Sequence, residues 1–225
     1  MTKYAIIVAG GSGTRMGTEI PKQFLLLNGK PVLWHSIKAF TDAYADIEII
    51  LVLPAQHMAK GENLAGEFPG HKIRTTEGGE TRFHSVKNGL KFVKEKSIVF
   101  VHDGVRCLVS PNLIQSCYVT AIEKGNAIPA TTATDSIRIG TRNESKQVDR
   151  NNVRIIQTPQ TFLSETIISA FRQEYNVSFT DEASVAENAG ERIYLVEGEV
   201  TNIKITRPID LLVAEKIIEE RNKTA

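Results

Sequence analysis

Residues Tyr4–Phe24 read YAIIVAGGSGTRMGTEIPKQF, an apolar run that passes directly into glycines at Gly10, Gly11, Gly13 and Gly17, with cations at Arg15 and Lys22. A short apolar segment ending in glycine is a buried strand whose following loop lets backbone N–H groups approach an anion closely. Arg15 and Lys22 would supply charge to phosphate oxygens there. An ordinary tight turn explains one or two glycines, not four interleaved with cations. The loop lacks the GK[ST] that closes a P-loop, and it is not the GxGxxG dinucleotide signature with an acid about 20 residues on. A P-loop kinase and a nicotinamide dehydrogenase are both demoted.

Outward from this unit, Val/Ile-rich runs recur at Tyr4–Ala9, Ile47–Leu53, Lys72–Thr75, Ile98–His102 and Ala127–Ala130. Amphipathic stretches between and after them predict helices over Val32–Ala45, Thr81–Glu95, Pro111–Lys124, Ser164–Glu174, Asp181–Ala189 and Pro208–Arg221. The alternation predicts an α/β fold with a largely parallel sheet covered on both faces. Between Asp135 and Ile156 the pattern changes to DSIRIG, a polar loop TRNESKQ and VDRNNVRII. That segment, about 133–157, predicts a projecting β-hairpin arm. No repeat or linker divides the chain, so residues 1–225 are expected to form one domain.

The 225 residues are 41% hydrophobic and 24% charged, enough apolar material for one substantial core. A formal net charge of +1 gives no overall field for nucleic acid or a membrane surface. Cys107 and Cys117 lack metal or redox spacing and are expected to be free structural thiols. No segment approaches the roughly 20 apolar residues of a transmembrane helix, which predicts a cytoplasmic protein. The five histidines show no metal-ligand spacing, and no nucleophile triad is discernible.

AGGSGTRMG followed by PKQF resembles the signature of sugar-nucleotide pyrophosphorylases and nucleotidylyltransferases, and PKQF narrows it to cytidylyltransferases acting on polyol phosphates. GGETRFHSV at 78–86, HDGVRC at 102–107, VDRN at 148–151, QTPQTF at 157–162, TDEAS at 180–184 and NIKITRP at 202–208 extend it to the 2-C-methyl-D-erythritol 4-phosphate cytidylyltransferase family. The resemblance covers nearly the whole chain. It implies a Rossmann-like nucleotidyltransferase domain with a mixed, mostly parallel sheet of about seven strands. It also implies CMP transfer from CTP to a small polyol phosphate, and a homodimer clasped by the arm. Ribitol-5-phosphate cytidylyltransferase, which shares several motifs, is the nearest alternative. A non-catalytic nucleotide-binding regulator is the alternative of another class.

By this resemblance Arg15 and Lys22 are catalytic, and Ala9, Gly10, Gly11, Gly13, Gly78, Gly79, Arg82 and Ser85 hold CTP. Gly78, Gly79 and Ser85 also read physically as a close turn around a base. Asp103 follows an apolar strand, at the edge where open α/β sheets bind ligands, and could hold Mg²⁺. Arg106 either pairs with Asp103 or braces its loop. The resemblance assigns Asp103, Arg106, Thr180 and Asp181 to the polyol, and Arg150 on the arm with Lys204 on a terminal strand NIKIT to the substrate phosphate. Thr180 and Asp181 read equally well as a helix cap. Where the family shows HDAARP, this chain has Gly104, Val105 and Cys107, a departure that touches the fine shape of that loop and leaves the Asp and Arg positions in place.

Overall fold

The computed structural model describes residues 1–11 and 20–224. Gly13, Arg15 and Gly17 therefore lie outside the described residues. The strands and helices follow in chain order: β1 (Thr2–Val8), β2 (Leu26–Leu27), β3 (Lys30–Pro31), α1 (Val32–Ala43), β4 (Glu48–Leu53), α2 (Met58–Ala65), β5 (Lys72–Glu77) and α3 (Arg82–Leu90). Next come β6 (Ser97–Asp103), α4 (Pro111–Lys124), β7 (Asn126–Thr132), β8 (Ile137–Gly140), β9 (Ser145–Val148), β10 (Arg154–Ile156) and β11 (Gln160–Leu163). The chain ends with α5 (Ser164–Ala170), α6 (Glu182–Asn188), β12 (Leu195–Glu197) and α7 (Pro208–Thr224).

The main sheet has eight strands in the order β10-β7-β11-β6-β1-β4-β5, with β12 paired to β7. β6, β1, β4 and β5 run parallel, and β11 inserts antiparallel between β6 and β7. The fold is the expected α/β domain with a mixed sheet. Its central strands are buried on both faces, and successive residues alternate between two cores. Ala5, Ile7, Ile49, Leu51 and Phe100 join α1 and α4 on one face, while Tyr4, Ile6, Ile50, Val52 and Val101 join α3 and α5 on the other. A smaller cluster of Leu27, Val32, Val105, Cys107, Leu108, Ile205 and Ala214 seats α7. Burial pushes both thiols up to about 12, in keeping with inert structural cysteines.

Local signals fix the helix ends. Ser110 accepts a hydrogen bond from Leu113 N at 3.1 Å, Pro111 opens α4, and Gly125 closes it at φ 93°.

Several expected elements differ. The segment 202–206 containing NIKIT is not a strand: it runs outside every ladder and is tied by Ile205 N to Val105 O at 2.9 Å. Its alternation instead serves burial of Ile205 in the third cluster. The arm is smaller than expected, because only β8 and β9 form the separate ribbon, while β10 returns to pair with β7. Arg150 accordingly sits on a single 3₁₀ turn after the ribbon rather than on a hairpin strand. The helix expected over Thr81–Glu95 stops at Leu90, and the one expected over Ser164–Glu174 stops at Ala170.

No atom lies within 4 Å of where a Cβ on Gly125 would stand, so Gly125→Ala carries only the backbone cost of a left-handed residue. Urea unfolding should show a loss of about 1–2 kcal/mol; an unchanged midpoint would contradict the left-handed cap.

Candidate active site

The carboxyl ends of β1 and β6 and the turn after β5 open into one cleft of about 330 Å³, a size suited to a small ligand. Ladder bonds continue past the strands: Ala9 N donates to Val52 O, Gly78 N to Leu53 O and Gly104 N to Val8 O, at 2.8–2.9 Å. These fix where each loop leaves the sheet. Gly10 and Gly11 line the cleft. At Gly79 a Cβ would lie 2.4 Å from His84 Cβ, so only glycine lets this turn lie against α3. Gly79 N donates to Ser85 Oγ at 3.1 Å, and Ser85 Oγ donates to Thr81 O at 3.0 Å, which sets the shape of the cleft wall.

Lys22 belongs to the 3₁₀ turn Lys22–Phe24 and is 8% exposed. Its Nζ donates to Ile205 O at 3.1 Å, and neighbouring Gln23 donates from Nε2 to Ala9 O at 2.8 Å. Gln23 thus locks the PKQF turn onto the end of β1 and aims Lys22 along the cleft.

Asp103 is the charge at the centre. Arg82 Nε reaches its Oδ1 at 3.1 Å, Lys204 Nζ lies 2.7 Å from Oδ2, and Arg106 Nε lies 3.9 Å from Oδ2. Burial opposes ionisation, but the three cations outweigh it and hold the carboxyl well below the usual range. Arg106 is further anchored from Nη1 to Asn202 O at 2.9 Å and from Nη2 to Ile156 O at 3.3 Å, so it braces the floor and does not line the cleft.

Behind Asp103, His102 Nε2 donates to Arg106 O at 3.1 Å. Its Nδ1 accepts from Thr158 Oγ1 at 3.0 Å, and Thr158 Oγ1 in turn accepts Asp103 N at 3.1 Å. With Thr158 Oγ1 donating to Nδ1, this chain suits a neutral ring. Burial, above all, lowers the His102 pKa to about 4.

The cleft brings together Ala9, Gly10, Gly11, Lys22, Gly79, Arg82, Ser85, Asp103 and Lys204 from the sequence reading. Gly78 stands just behind, its Cβ position 3.0 Å from Ser85 Oγ. Thr180 and Asp181 border a separate recess beside Phe179, not the cleft. Both oxygens of Asp181 are occupied, Oδ1 by Ser184 N and Oδ2 by Gln160 Nε2, each at 2.9 Å. Asp181 therefore acts as the cap of α6. Arg150 is exposed, donates to Thr134 O at 2.7 Å and does not line this chain's own cleft. Gln23, His102, Thr158 and Glu182 fall inside the motifs quoted from the sequence, but no site role is read for them there; Glu182 takes Arg82 in a two-pronged pair.

Among the described residues no group of three or more His, Cys, Asp or Glu could hold a metal ion, and both oxygens of Asp103 already face cations. These residues do not fit a resident Mg²⁺.

A glycine-faced loop at the end of β1, with Lys22 and Lys204 converging on it, defines a nucleotidyltransferase of the α/β class. The chain belongs to the 2-C-methyl-D-erythritol 4-phosphate cytidylyltransferase family, whose model matches residues 3–220. It is 46% identical to the 2-C-methyl-D-erythritol 4-phosphate cytidylyltransferase of Phocaeicola vulgatus, over 97% of this chain and 100% of that one. The crystal structure of 4-diphosphocytidyl-2C-methyl-D-erythritol synthase from Anaerococcus prevotii superposes with a TM-score of 0.83 at 28% identity, covering 97% and 98% of the two chains. The cytidylyltransferase structure from Francisella tularensis gives 0.79 at 32% identity, covering 96% and 99%.

Because the His102 pKa falls from 6.5 to about 4 on folding, the unfolded chain takes up a proton between those values that the folded chain refuses. Stability should therefore fall as pH drops through that window, by at most about 1.4 kcal/mol per pH unit from this residue. Urea midpoints at pH 7 and pH 5 should show the decline in wild type and a shallower one in His102→Gln; parallel declines would refute it.

Proposed function

We propose that this chain transfers CMP from CTP to 2-C-methyl-D-erythritol 4-phosphate, giving 4-diphosphocytidyl-2-C-methyl-D-erythritol and pyrophosphate, a step toward isoprenoid precursors. The observation that carries the reading is the convergence of the glycine loop, Lys22, Asp103 and Lys204 on one cleft in a member of this family. The substrate phosphate oxygen attacks the α-phosphorus of CTP in line. A new O–P bond forms as the bond to the bridging oxygen breaks, and pyrophosphate carries away the electron pair. No protein nucleophile is needed, so catalysis is positioning and charge neutralisation.

Backbone N–H groups of Gly10 and Gly11 hold the triphosphate. The Gly78–Ser85 turn encloses the cytosine. Lys22 and Arg15 neutralise the α-phosphate and the leaving pyrophosphate. Lys204, 39% exposed at the side chain, can leave Asp103 for the phosphate of the arriving substrate. Asp103, then relieved of one partner, takes a polyol hydroxyl. Magnesium enters this proposal only as a companion of the triphosphate, and no step is routed through it.

The protein acts as a homodimer in which Arg150 completes the partner's substrate-phosphate site. Support comes from its absence from its own cleft and from exposed apolar side chains on or near the arm, Ile139 at 56% and Ile155 at 48%. Near-neutral charge, and no helix among the described residues long and apolar enough to cross a membrane, suit a cytoplasmic enzyme without nucleic-acid partners.

Pyrophosphate release should occur with CTP and 2-C-methyl-D-erythritol 4-phosphate, only weakly with ribitol 5-phosphate, and should fall about 10²–10³-fold in kcat for Lys22→Ala. Release with ribitol 5-phosphate alone, or none with either, would overturn the assignment.

Subunit mixing tests the arm. Lys22→Ala and Arg150→Ala chains, each inactive, should recover about a quarter of wild-type activity when refolded together, since random pairing makes half the dimers mixed with one complete site each. Mixed dimers without recovered activity would mean that Arg150 serves its own subunit.

A further inference from the structure

Beyond Arg82 the ion pairs continue away from the cleft. Arg82 opens α3 and lines the cleft, with 27% of its side chain exposed, while Glu182 opens α6 and is 1% exposed. Glu182 takes both terminal nitrogens of the guanidinium, Nη1 on Oε1 and Nη2 on Oε2, the latter at 3.0 Å. The edge formed by Nε and Nη2 faces Asp103, with Nε donating to Oδ1 and Nη2 also lying 3.1 Å from that oxygen. The residues on either side of Glu182 are both held by one buried side chain, that of Gln160. Gln160 Oε1 accepts from Ala183 N at 2.8 Å, and Gln160 Nε2 donates to Asp181 Oδ2 at 2.9 Å.

A buried ion pair is a weak stabiliser, because removing two charges from water cancels most of their attraction, and an apolar pair of similar volume would serve stability as well. What the pair does supply is orientation. A guanidinium held at both Nη atoms cannot rotate, so the edge it turns toward Asp103 is fixed. Glu182 also offsets one of the cations around Asp103. Without it the whole charge of Arg82 would fall on Asp103 and compete with Lys204 for the same carboxylate.

We propose that Glu182 is a positioning residue for the transfer reaction, holding Arg82 edge-on to Asp103 so that Asp103 and Lys204 meet the substrates in a set geometry. This rests on the functional reading above. In Glu182→Gln the guanidinium stays charged and present, so it still attracts phosphates, but its orientation is lost. Such a loss falls on kcat rather than on ground-state binding.

Kinetics of wild type, Glu182→Gln, Arg82→Met and the double variant, below the melting temperature of all four, test this. Glu182→Gln should lower kcat by about 10-fold or more, the scale on which outer partners of an orienting ligand act, with KM for CTP changed less than about threefold. In the Arg82→Met background the same substitution should cost almost nothing. Equal costs in both backgrounds would show that Glu182 does not act through Arg82. If Glu182→Gln does not fold, Glu182→Asp, which keeps the charge but withdraws it by one methylene, enters the same cycle with the same criteria. A second readout is independent of turnover: with ¹⁵N-labelled arginine, Arg82 should give resolved Nη signals in wild type that collapse in the Glu182 variant. Signals unchanged by the substitution would overturn the inference even in an active enzyme, whereas wild type without turnover but with collapsing signals would sink the functional reading alone.

Discussion

A single buried carboxylate organises this protein's cleft. Asp103 ends β6, a strand buried along its whole length, and an ionised group there is tolerable only because Arg82, Lys204 and Arg106 surround it. Each cation arrives from a different part of the chain: the start of α3, the segment before α7 and the loop after β6. Neutralising one charge therefore fixes three backbone segments relative to the sheet. Arg106 extends the effect by gripping Asn202 and Ile156, and the His102–Thr158 pair holds the backbone of Asp103 from behind.

Much of this was legible in the sequence, for physical reasons. The runs that became β1, β4 and β6 are apolar on both faces, a pattern only a covered sheet satisfies. The turn after β5 showed itself through Gly79, whose place against His84 no other residue can take. Lys22 and Asp103 stood out because phosphate chemistry and the sheet edge restrict which residues can follow those strands.

What stayed hidden depends on distance along the chain or on weak periodicity. Arg82 and Glu182 are 100 residues apart, and Glu182 alone looks like an ordinary acid in the first turn of a helix. Helix α2 buries only Gly61 and Leu64, too little to register as an apolar stripe. The 202–206 segment imitates a strand because alternating burial needs only an extended chain over a core, not a ladder partner. Gly104 and Val105 depart from the family pattern within a crowded floor. A Cβ on Gly104 would stand 3.0 Å from Leu33 Cδ1 and 3.1 Å from Ala9 Cβ, so the missing methyl suits the close packing of Leu33 and Ala9 there.

The two-faced sheet has a consequence for how this sequence can change over evolutionary time. Odd-numbered positions of β1 and β4 feed one core and even-numbered positions the other, with the backbone as a partition between them. Substitutions on opposite faces share no partners, so their effects on stability should simply add, while those on one face must be accommodated together. Each face is in that sense a separate historical unit. One can drift in composition while the other stays fixed, and the loops at the strand ends, which answer to both, hold their place throughout.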